Sequence, residues 1–540
     1  MFKKLITDFN LFVLMAVSFC LRIISLGYSD YQGDEIKALF ILGDDQSISE
    51  FLLDQRKGPI QFLITFVLKL VDPTYSNEFL IRLPFAIAGI LAVYFFYKFL
   101  SLIFDKKIAF YASLFMSLNG FFIAFSRIVQ YQSFVIMFMC MALYFGYKAA
   151  IAKNTDGGSI KYIYISLIAW ALSILSHYDG IFIAPMMFYI IFVWFKNPNI
   201  EKSAKLKHFI LSGTIATALL ATFYLPFAYS ITESTQQYWQ GRLSGDVSAK
   251  ISSSKYLFSV YHPIYVVHLY TILFVFGTFL FVSSFIRNRF KKYVQKVNQE
   301  KIFSPYISGL FLHFNTKSKL WAVIAWFIVP LIFWEKIVYI PGTHIYTYLQ
   351  PMFVILAFGV LLCEKLIELF IRIEYRKVLN LSWIIVFFGF LFIQSYFVYV
   401  ENIVEYPWEE EKFLLWTFPK PSPNYHLSMF GFPYNRNWEG IRDYVKTKPE
   451  ITAYSTNERQ TISRYYVPLD KDTDKAGFYI YAVNPQSFDN DILNKKALYW
   501  SQQLEPVYTY SRNGETLVRI YEMPVGPLTG LDQTEVIEDE

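Results

Sequence analysis

An acidic pair, Asp34 and Glu35, lies in the segment that follows the first long apolar stretch of this 540-residue chain. Two neighbouring carboxylates can act as a general base with its support, or bind a divalent metal. The same pair would also suit the first turn of a short amphipathic helix with Ile36, Leu39 and Phe40 on its apolar side, because carboxylates near a helix start interact favourably with the helix dipole. The residue types alone leave both interpretations open.

Cationic, histidine and tyrosine side chains recur in later connections between apolar segments. Each of them alone could anchor the chain at a membrane surface, where Arg, Tyr and His side chains are stable. Together with the two carboxylates they would suit the phosphate of a lipid beside a nucleophile that must lose a proton. The candidate binding residues are Lys57, Arg82, Arg127, His177, Tyr178, His344 and Tyr346.

The composition places these residues in a membrane protein. Hydrophobic residues make up 55% of the chain and charged residues only 17%, and the mean hydropathy is +0.34. Soluble domains are nearer about 45–50% apolar and about 25% charged, so an ordinary soluble enzyme and a disordered scaffold are both excluded. The cysteines Cys20, Cys140 and Cys363 stand in apolar runs and form neither a disulfide pattern nor a zinc pattern.

Apolar segments long enough to cross a membrane recur through the first 400 residues. A helical span needs about 20 apolar residues, and the hydropathy pattern predicts an all-α, multi-pass membrane protein with about eleven transmembrane helices. Residues 59–71 are too short to span and are expected to lie in the interface or re-enter it. The predicted spans are residues 9–27, 82–101, 108–126, 131–150, 161–177, 180–196, 208–227, 264–286, 320–340, 346–364 and 381–400.

Charge predicts the orientation of these spans. Lys and Arg cluster in alternate connections, an asymmetry that places the N-terminus in the cytoplasm. An odd number of spans then puts residues 401–540 outside. Those residues carry a net charge of −8 and the rest of the chain +14, so the basic excess indicates topology and no nucleic-acid partner. We expect a plasma (inner) membrane location.

The sequence predicts two domains, at 1–400 and 401–540. The first would be the transmembrane domain, with an external loop at 28–81 that carries juxtamembrane helices. The second would be a soluble, extracytoplasmic α/β domain, because strand-like alternation at 478–483 and 516–521 is accompanied by an Asn513-Gly514 turn. The acidic tail, Glu535 to Glu540, is expected to be disordered.

The order of the motifs resembles a known family. The acidic pair is followed by Lys57-Gly-Pro-Ile60, by Glu78-Phe-Leu-Ile-Arg-Leu-Pro84, by the segment 127–134, by His177-Tyr-Asp-Gly180 and by the segment 344–351. This order is similar to that in bacterial relatives of protein O-mannosyltransferases and lipid A aminoarabinose transferases, which are membrane glycosyltransferases of the GT-C fold. The resemblance covers about residues 1–400.

The resemblance implies an inverting transfer of a sugar from a polyprenyl-phosphate donor to a lipid, glycan or protein acceptor outside the cytoplasm, among membrane lipids. Asp34 would then match the catalytic aspartate and Glu35 its acidic neighbour. Arg82 would match an arginine that serves the donor phosphate or the acidic pair. A divalent metal beside Asp34 and Glu35 is compatible with the sequence but not required by it.

Two departures from the family pattern bear on the sugar and the acceptor. Lys57-Gly58-Pro59 stands where relatives often have His-Pro-Pro or Lys-Pro-Pro, which is expected to loosen the turn, and Gln132 stands where many have Asp or Tyr.

Two alternatives to a glycosyltransferase remain open. A flippase for lipid-linked sugars, or another lipid transporter, would need the same cationic pocket. The scarcity of acidic residues near span centres disfavours transport. A membrane-anchored protein that binds its ligand through residues 401–540 is the third hypothesis.

Overall fold

The computed structural model describes residues 8–55, 57–152, 158–244, 267–289, 317–339, 342–406, 412–413, 416–417, 430–472, 475–486 and 504–522. The acidic tail expected to be disordered lies outside these residues. Helices dominate the first 400 residues, and a small sheet with two short helices follows. This arrangement agrees with the predicted fold class: a mostly helical membrane protein with a C-terminal α/β unit.

The described residues between Phe9 and Tyr399 are mostly helical. Those up to residue 150 are Phe9–Ile23, Gly33–Ile36, Ile48–Asp54, Ile60–Lys69, Glu78–Ile103, Lys106–Leu118, Gly120–Arg127 and Gln132–Ala150. Those from residue 158 to residue 399 are Gly158–Ser176, Ala184–Lys196, Lys202–Tyr229, Glu233–Ser244, Val267–Arg289, Lys317–Ile332, Tyr346–Phe370 and Ile373–Tyr399. Short turns of 3-10 helix at Tyr178–Ile183 and Gly342–Ile345, and a π-helical turn at Phe333–Ile337, lie between them.

Within the described residues, six helices are long and apolar enough to cross a membrane, or seven if one bent pair counts as a span. Four shorter apolar helices accompany them. The chain is therefore a multi-pass membrane protein, while the number eleven and the orientation stay predictions. The predicted short segment at 59–71 forms the helix Ile60–Lys69, whose ten residues extend only about 15 Å.

The predicted span at 108–126 is broken in the structure. Lys106–Leu118 and Gly120–Arg127 meet at an angle of 56°. At the break the Asn119 side chain accepts the N–H of Phe121 at 3.1 Å, and the buried Arg22 guanidinium donates to the carbonyl oxygens of Ser117 and Phe122 at 3.1 and 3.3 Å. A bend inside a membrane protein is stable only when such partners replace the lost helical bonds.

The C-terminal unit contains a five-stranded mixed sheet. Its order is β4 (Asp470–Lys471), β3 (Ala453–Thr456), β5 (Phe478–Ala482), β7 (Glu515–Glu522) and β6 (Tyr508–Arg512). β3 runs parallel to β4 and β5, and β7 runs antiparallel to β5 and β6. A second sheet pairs β1 (Lys412–Phe413) with β2 (Trp416–Thr417). The helices Trp438–Val445 and Gln460–Tyr466 complete the unit.

One hydrophobic cluster joins the C-terminal unit to the first loop. Tyr31, Leu39 and Phe85 pack in the same cluster as Trp438 and Tyr466. Since apolar burial is the main favourable contribution to folding, the loop and the C-terminal unit stabilise each other. The division into domains at 1–400 and 401–540 stays a prediction, but the two parts share this core.

Candidate active site

Glu35 is fully buried and belongs to the short helix Gly33–Ile36. Arg82 donates to its two carboxylate oxygens, with both distances at 2.8 Å. The backbone N–H groups of Gln32 and Val129 donate to the same carboxylate at 2.9 and 3.0 Å. All the capacity of this carboxylate is therefore used inside the protein, and Glu35 holds the loop in place.

Arg82 is equally occupied. Besides Glu35 it donates to the carbonyl oxygens of Leu26, Ser29 and Asp30 at 2.8 to 3.1 Å. Its side chain is about as buried as that of Glu35. Of the two family roles considered for Arg82, the structure supports service to the acidic pair.

Asp34 differs from its neighbour. Its side chain is 24% exposed and its nearest ion-pair contact is Lys37 at 3.8 Å, a distance at which an exposed pair is weak. The backbone is fixed, because the Gln130 amide donates to the Asp34 carbonyl oxygen at 2.7 Å. Asp34 thus presents an available carboxylate from a rigid backbone.

Asp34 lies on the wall of a cavity of about 710 Å³. The charged side chains that line it are Asp34, Asp54, Lys37, Lys57, Arg242 and Arg459, an excess of two positive charges. Histidine, tyrosine and hydroxyl side chains complete the polar wall. A site with cations beside carboxylates can bind an anionic group and remove a proton next to it.

Lys57 lies between Asp34 and the histidine side of the cavity. Its ammonium is 3.5 Å from the Gln130 side-chain oxygen and 5.0 Å from the centre of the Tyr131 ring. Burial lowers the pKa of Lys57 to about 8, while the nearby Asp34 carboxylate acts in the opposite direction. The side chain is therefore mostly cationic at neutral pH and loses its charge under mildly alkaline conditions.

Gly58 allows this placement. A Cβ at Gly58 would lie 1.8 Å from the carbonyl oxygen of Leu175, so only glycine lets the loop approach the end of helix Gly158–Ser176. The glycine therefore permits close packing next to His177, and the looser turn stays a prediction.

A buried carboxylate orders the histidine side of the cavity. Asp179 Oδ2 lies 2.7 Å from His344 Nδ1 and accepts the Tyr346 hydroxyl at 2.7 Å. Its Oδ1 lies 3.1 Å from His177 Nδ1. The His177 ring stacks on Tyr131 at 4.2 Å. Both imidazoles line the cavity, so Asp179 fixes the orientation of two groups that can meet a ligand.

The remaining sequence candidates have different positions. Tyr178 lines the cavity and is 40% exposed. Tyr346 is buried behind the histidines, where it bonds Asp179. Arg127 lies outside the cavity: it donates to the carbonyl oxygens of Leu21 and Ile24 at 3.1 and 2.9 Å, at the end of the first helix. Arg127, like Arg82, does not line the cavity.

Three cavity cations of the described residues were not among the sequence candidates: Lys37, which lies near Asp34, and two arginines from distant parts of the chain. Arg242 belongs to the helix Glu233–Ser244, and Arg459 precedes the helix Gln460–Tyr466 in the C-terminal unit. Neither stands in a motif of the chain. Arg459 is separated from Asp34 by more than 400 residues, and only the folded structure brings the two together.

His177, Asp179 and His344 also form a group of metal-ligand types, with one ligand atom from each within 4.8 Å of the others. His and carboxylate ligands suit Zn²⁺ or Mn²⁺. A hydrogen bond accounts for the contact of His344 Nδ1 with Asp179 Oδ2. His177 Nδ1 instead accepts the backbone N–H of Asp179 at 3.2 Å, and Asp179 Oδ1 has no hydrogen-bond partner among the described residues. Asp34 and Glu35 do not form the metal pair that the sequence allowed, because Glu35 is bonded to Arg82.

Comparison with known proteins supports the resemblance seen in the motifs. Residues 59–226 match the family described as dolichyl-phosphate-mannose-protein mannosyltransferase. The match begins after Lys57 and ends before the C-terminal unit, so it includes Arg82, Arg127 and His177 and leaves out Asp34. The predicted resemblance to this family is confirmed over that segment. No curated protein matches the chain significantly.

Several solved structures are similar to the chain at low sequence identity. ArnT from Cupriavidus metallidurans has 11% identity and a TM-score of 0.48, with 94% of this chain and 97% of that chain covered. The oligosaccharyltransferase AglB from Archaeoglobus fulgidus has 12% identity and a TM-score of 0.47, with coverage of 95% and 74%. The arabinofuranosyltransferase AftD from Mycobacteria has 10% identity and a TM-score of 0.46, with coverage of 95% and 39%.

Proposed function

We propose that the chain is a membrane glycosyltransferase that moves a sugar from a polyprenyl phosphate to an extracytoplasmic acceptor, with Asp34 as the general base. The observation that carries the proposal is the cavity, whose wall combines the Asp34 carboxylate with the cations Lys57 and Arg242 and with His344. The family match at 59–226 supports the donor class, since that family is described by its dolichyl-phosphate-mannose donor.

The proposed step is a single displacement at the anomeric carbon of the donor sugar. The acceptor hydroxyl oxygen attacks this carbon while its proton passes to the Asp34 carboxylate. The bond from the anomeric carbon to the phosphate oxygen breaks, and its electron pair stays on the released polyprenyl phosphate. Because attack and departure occur on opposite sides of the carbon, the configuration inverts. A well-placed general base supplies about 10²–10⁴-fold in rate.

The cations opposite Asp34 stabilise the leaving phosphate. Lys57 and Arg242 line the cavity with His344, and preorganised positive charge is most effective where negative charge develops in the transition state. Asp179 holds His344 Nδ1, which leaves Nε2 as the ring nitrogen for a ligand. Arg82 and Arg127, which the sequence also offered for this role, are instead bonded to Glu35 and to backbone carbonyls.

We further propose that this chemistry takes place outside the cytoplasm of the plasma (inner) membrane. The support is the alternation of basic connections, which places the N-terminus in the cytoplasm and residues 401–540 outside. The C-terminal unit would then lie on the side where a periplasmic or cell-surface acceptor is met. Its contact with the Asp34 loop gives it a part in the active site rather than only a covering role.

The proposal is tested with full-length protein in detergent, a panel of polyprenyl-phosphate sugars and a membrane extract as the acceptor source. We expect wild-type protein to release free polyprenyl phosphate from at least one donor, detected by mass spectrometry. Movement of labelled lipid-linked sugar across protein-containing vesicles, with no glycosidic product in either assay, would contradict the proposal and establish the flippase.

A further inference from the structure

The C-terminal unit places a guanidinium beside the residue that precedes the proposed base. A Cβ at Gly33 would lie 3.4 Å from both Cδ and Nε of Arg459 and 3.5 Å from its Cζ. Gly33 is the residue before Asp34, and both Asp34 and Arg459 line the cavity. The guanidinium of Arg459 therefore lies against the backbone that carries the proposed base.

The position of Arg459 is fixed from the side of the C-terminal unit. The buried Glu458 carboxylate accepts the backbone N–H of Arg459 at 2.6 Å and that of Gln486 at 3.0 Å, and the Tyr434 hydroxyl bonds the same carboxylate. These bonds set the start of the helix Gln460–Tyr466. A side chain that leaves such a rigid backbone is held near the cavity at small entropic cost.

The loop that carries Asp34 is fixed to the same unit. Asp30 Oδ2 accepts the backbone N–H of Arg436 at 2.5 Å. The Tyr31 N–H donates to the Tyr466 hydroxyl at 2.9 Å, and Gln32 Nε2 donates to the Phe432 carbonyl at 3.1 Å. Arg459 and Asp34 therefore keep a constant relative position.

Three of the cavity cations form two groups, with Lys57 between them. On the histidine side, Arg242 NH1 lies 3.5 Å from the Cβ position of Gly342, two residues before His344. On the other side, Arg459 packs over Gly33 and Lys37 lies 3.8 Å from Asp34. A single displacement places the base and the leaving group on opposite sides of the anomeric carbon. The leaving phosphate thus belongs with His344, and Arg459 belongs with the acceptor.

We propose that Arg459 binds an anionic group, a phosphate or a carboxylate, on the acceptor. This inference rests on the proposed function and specifies its acceptor class. A guanidinium binds either group through two parallel hydrogen bonds, with planar specificity that an ammonium lacks. Binding there would place a neighbouring acceptor hydroxyl next to Asp34. The acceptor is therefore negatively charged close to the hydroxyl that receives the sugar.

For the test, the membrane extract is separated on an anion exchanger. Each fraction is then supplied to full-length protein together with the donor panel. We expect wild-type protein to release polyprenyl phosphate with the retained, anionic fraction and not with the unretained one. Phosphatase treatment of the retained fraction then distinguishes the sources, since only a phosphate monoester loses its acceptor activity. The readout is free polyprenyl phosphate by mass spectrometry.

Two substitutions of Arg459 and one control substitution test its part in acceptor binding. We expect Arg459→Gln to lower transfer to the anionic fraction by about 10- to 100-fold, as expected for loss of a charged hydrogen-bond pair, mainly through KM for the acceptor. Arg459→Lys should recover part of the loss. Arg464→Gln is the matched control: it lies on the helix Gln460–Tyr466 but lines a separate surface pocket of the C-terminal unit, and its transfer should equal the wild-type rate.

Binding of undecaprenyl phosphate provides the second readout, because it does not depend on the acceptor. Arg459→Gln should bind this lipid as wild type does, which also shows that the variant is folded. Loss of lipid binding with an unchanged elution profile would place Arg459 on the donor side and overturn the inference. Transfer by wild-type protein with the unretained fraction would also overturn the inference. An Arg459→Gln protein that transfers sugar to the anionic fraction at the wild-type rate would do the same. If wild-type protein consumed no donor with either fraction, the proposed function would fail together with the inference.

Discussion

The two ends of the cavity each contain a buried carboxylate, and each carboxylate orders a neighbouring group. At one end Glu35 is bonded to Arg82 and to two backbone N–H groups, and the adjacent Asp34 faces the cavity. At the other end Asp179 is bonded to Tyr346 and His344, and the imidazoles face the cavity. In both places the buried, hydrogen-bonded carboxylate stabilises the local structure. The neighbouring side chain that lines the cavity is the group available for chemistry.

The two ends differ in what the buried carboxylate is paired with. Glu35 pairs with a guanidinium, which is always charged, so its pair is an unchanging part of the fold. Asp179 instead accepts a hydrogen bond from the neutral phenol of Tyr346 and lies beside the imidazoles of His177 and His344. We conclude that the Glu35 end supplies a fixed frame for the proposed base, whereas the Asp179 end holds two imidazoles at the cavity wall.

The largest effect is expected from Glu35→Gln. Breaking a buried ion pair by removing one partner costs about 3–5 kcal/mol, because the Arg82 charge stays buried without its counter-ion. We expect a marked fall in the temperature at which the purified protein loses its monodisperse elution profile. The matched control is Glu439→Gln, which removes a more exposed ion pair with Arg442 at 3.2 Å and should change stability by less than about 1 kcal/mol. Equal stability of the Glu35→Gln and Glu439→Gln proteins would contradict the structural role that distinguishes Glu35 from Asp34.

A smaller effect, on turnover, is expected from Asp179→Asn. The variant loses a charged acceptor for His344 Nδ1, worth about 1.5–3 kcal/mol, so kcat should fall about 10- to 100-fold while the fold is kept. Tyr346→Phe removes only a neutral donor to the same carboxylate and should lower kcat less. The measurement is donor consumption at saturating donor. A change confined to KM, or a larger loss in Tyr346→Phe, would show that Asp179 does not act by orienting His344.

The smallest effect is expected in the pH dependence of Lys57. Burial lowers its pKa to about 8, so the ammonium is charged below this pH and loses its proton as the pH rises through it. KM for the donor should therefore rise several-fold between about pH 7 and pH 9, since a phosphate prefers the charged form. In Lys57→Arg the charge persists, and KM should stay constant over the same interval. A rise of equal size in both proteins would assign the titration to another group.

The hydrophobic pattern and the turn residues of the sequence were sufficient to predict much of the fold. The strand predicted at 478–483 is β5 at Phe478–Ala482, and the predicted turn before β7 has positive φ angles of 52° and 86° at Asn513 and Gly514. Alternation and turn chemistry act locally and are visible in one sequence. The bend at Asn119 was missed because it depends on Arg22, a partner almost one hundred residues away.

The site was predictable only where its residues form motifs. Asp34, Lys57, His177 and His344 do line one cavity. Arg127 was misplaced because an arginine at a helix end can bind a phosphate or the free carbonyls of another helix, and the sequence does not distinguish the two. Arg459 carried no signal, since its role follows from the packing of the C-terminal unit on the loop.

The most direct test of the account compares Asp34→Asn with Asp45→Asn, an exposed carboxylate of the same loop. Both proteins are purified full-length and given the donor that wild type consumes, together with its acceptor fraction. We predict that Asp34→Asn binds undecaprenyl phosphate normally but releases free polyprenyl phosphate about 10²–10⁴-fold more slowly than wild type. Asp45→Asn should keep the wild-type rate. An Asp34→Asn protein that transfers sugar at the wild-type rate would contradict it.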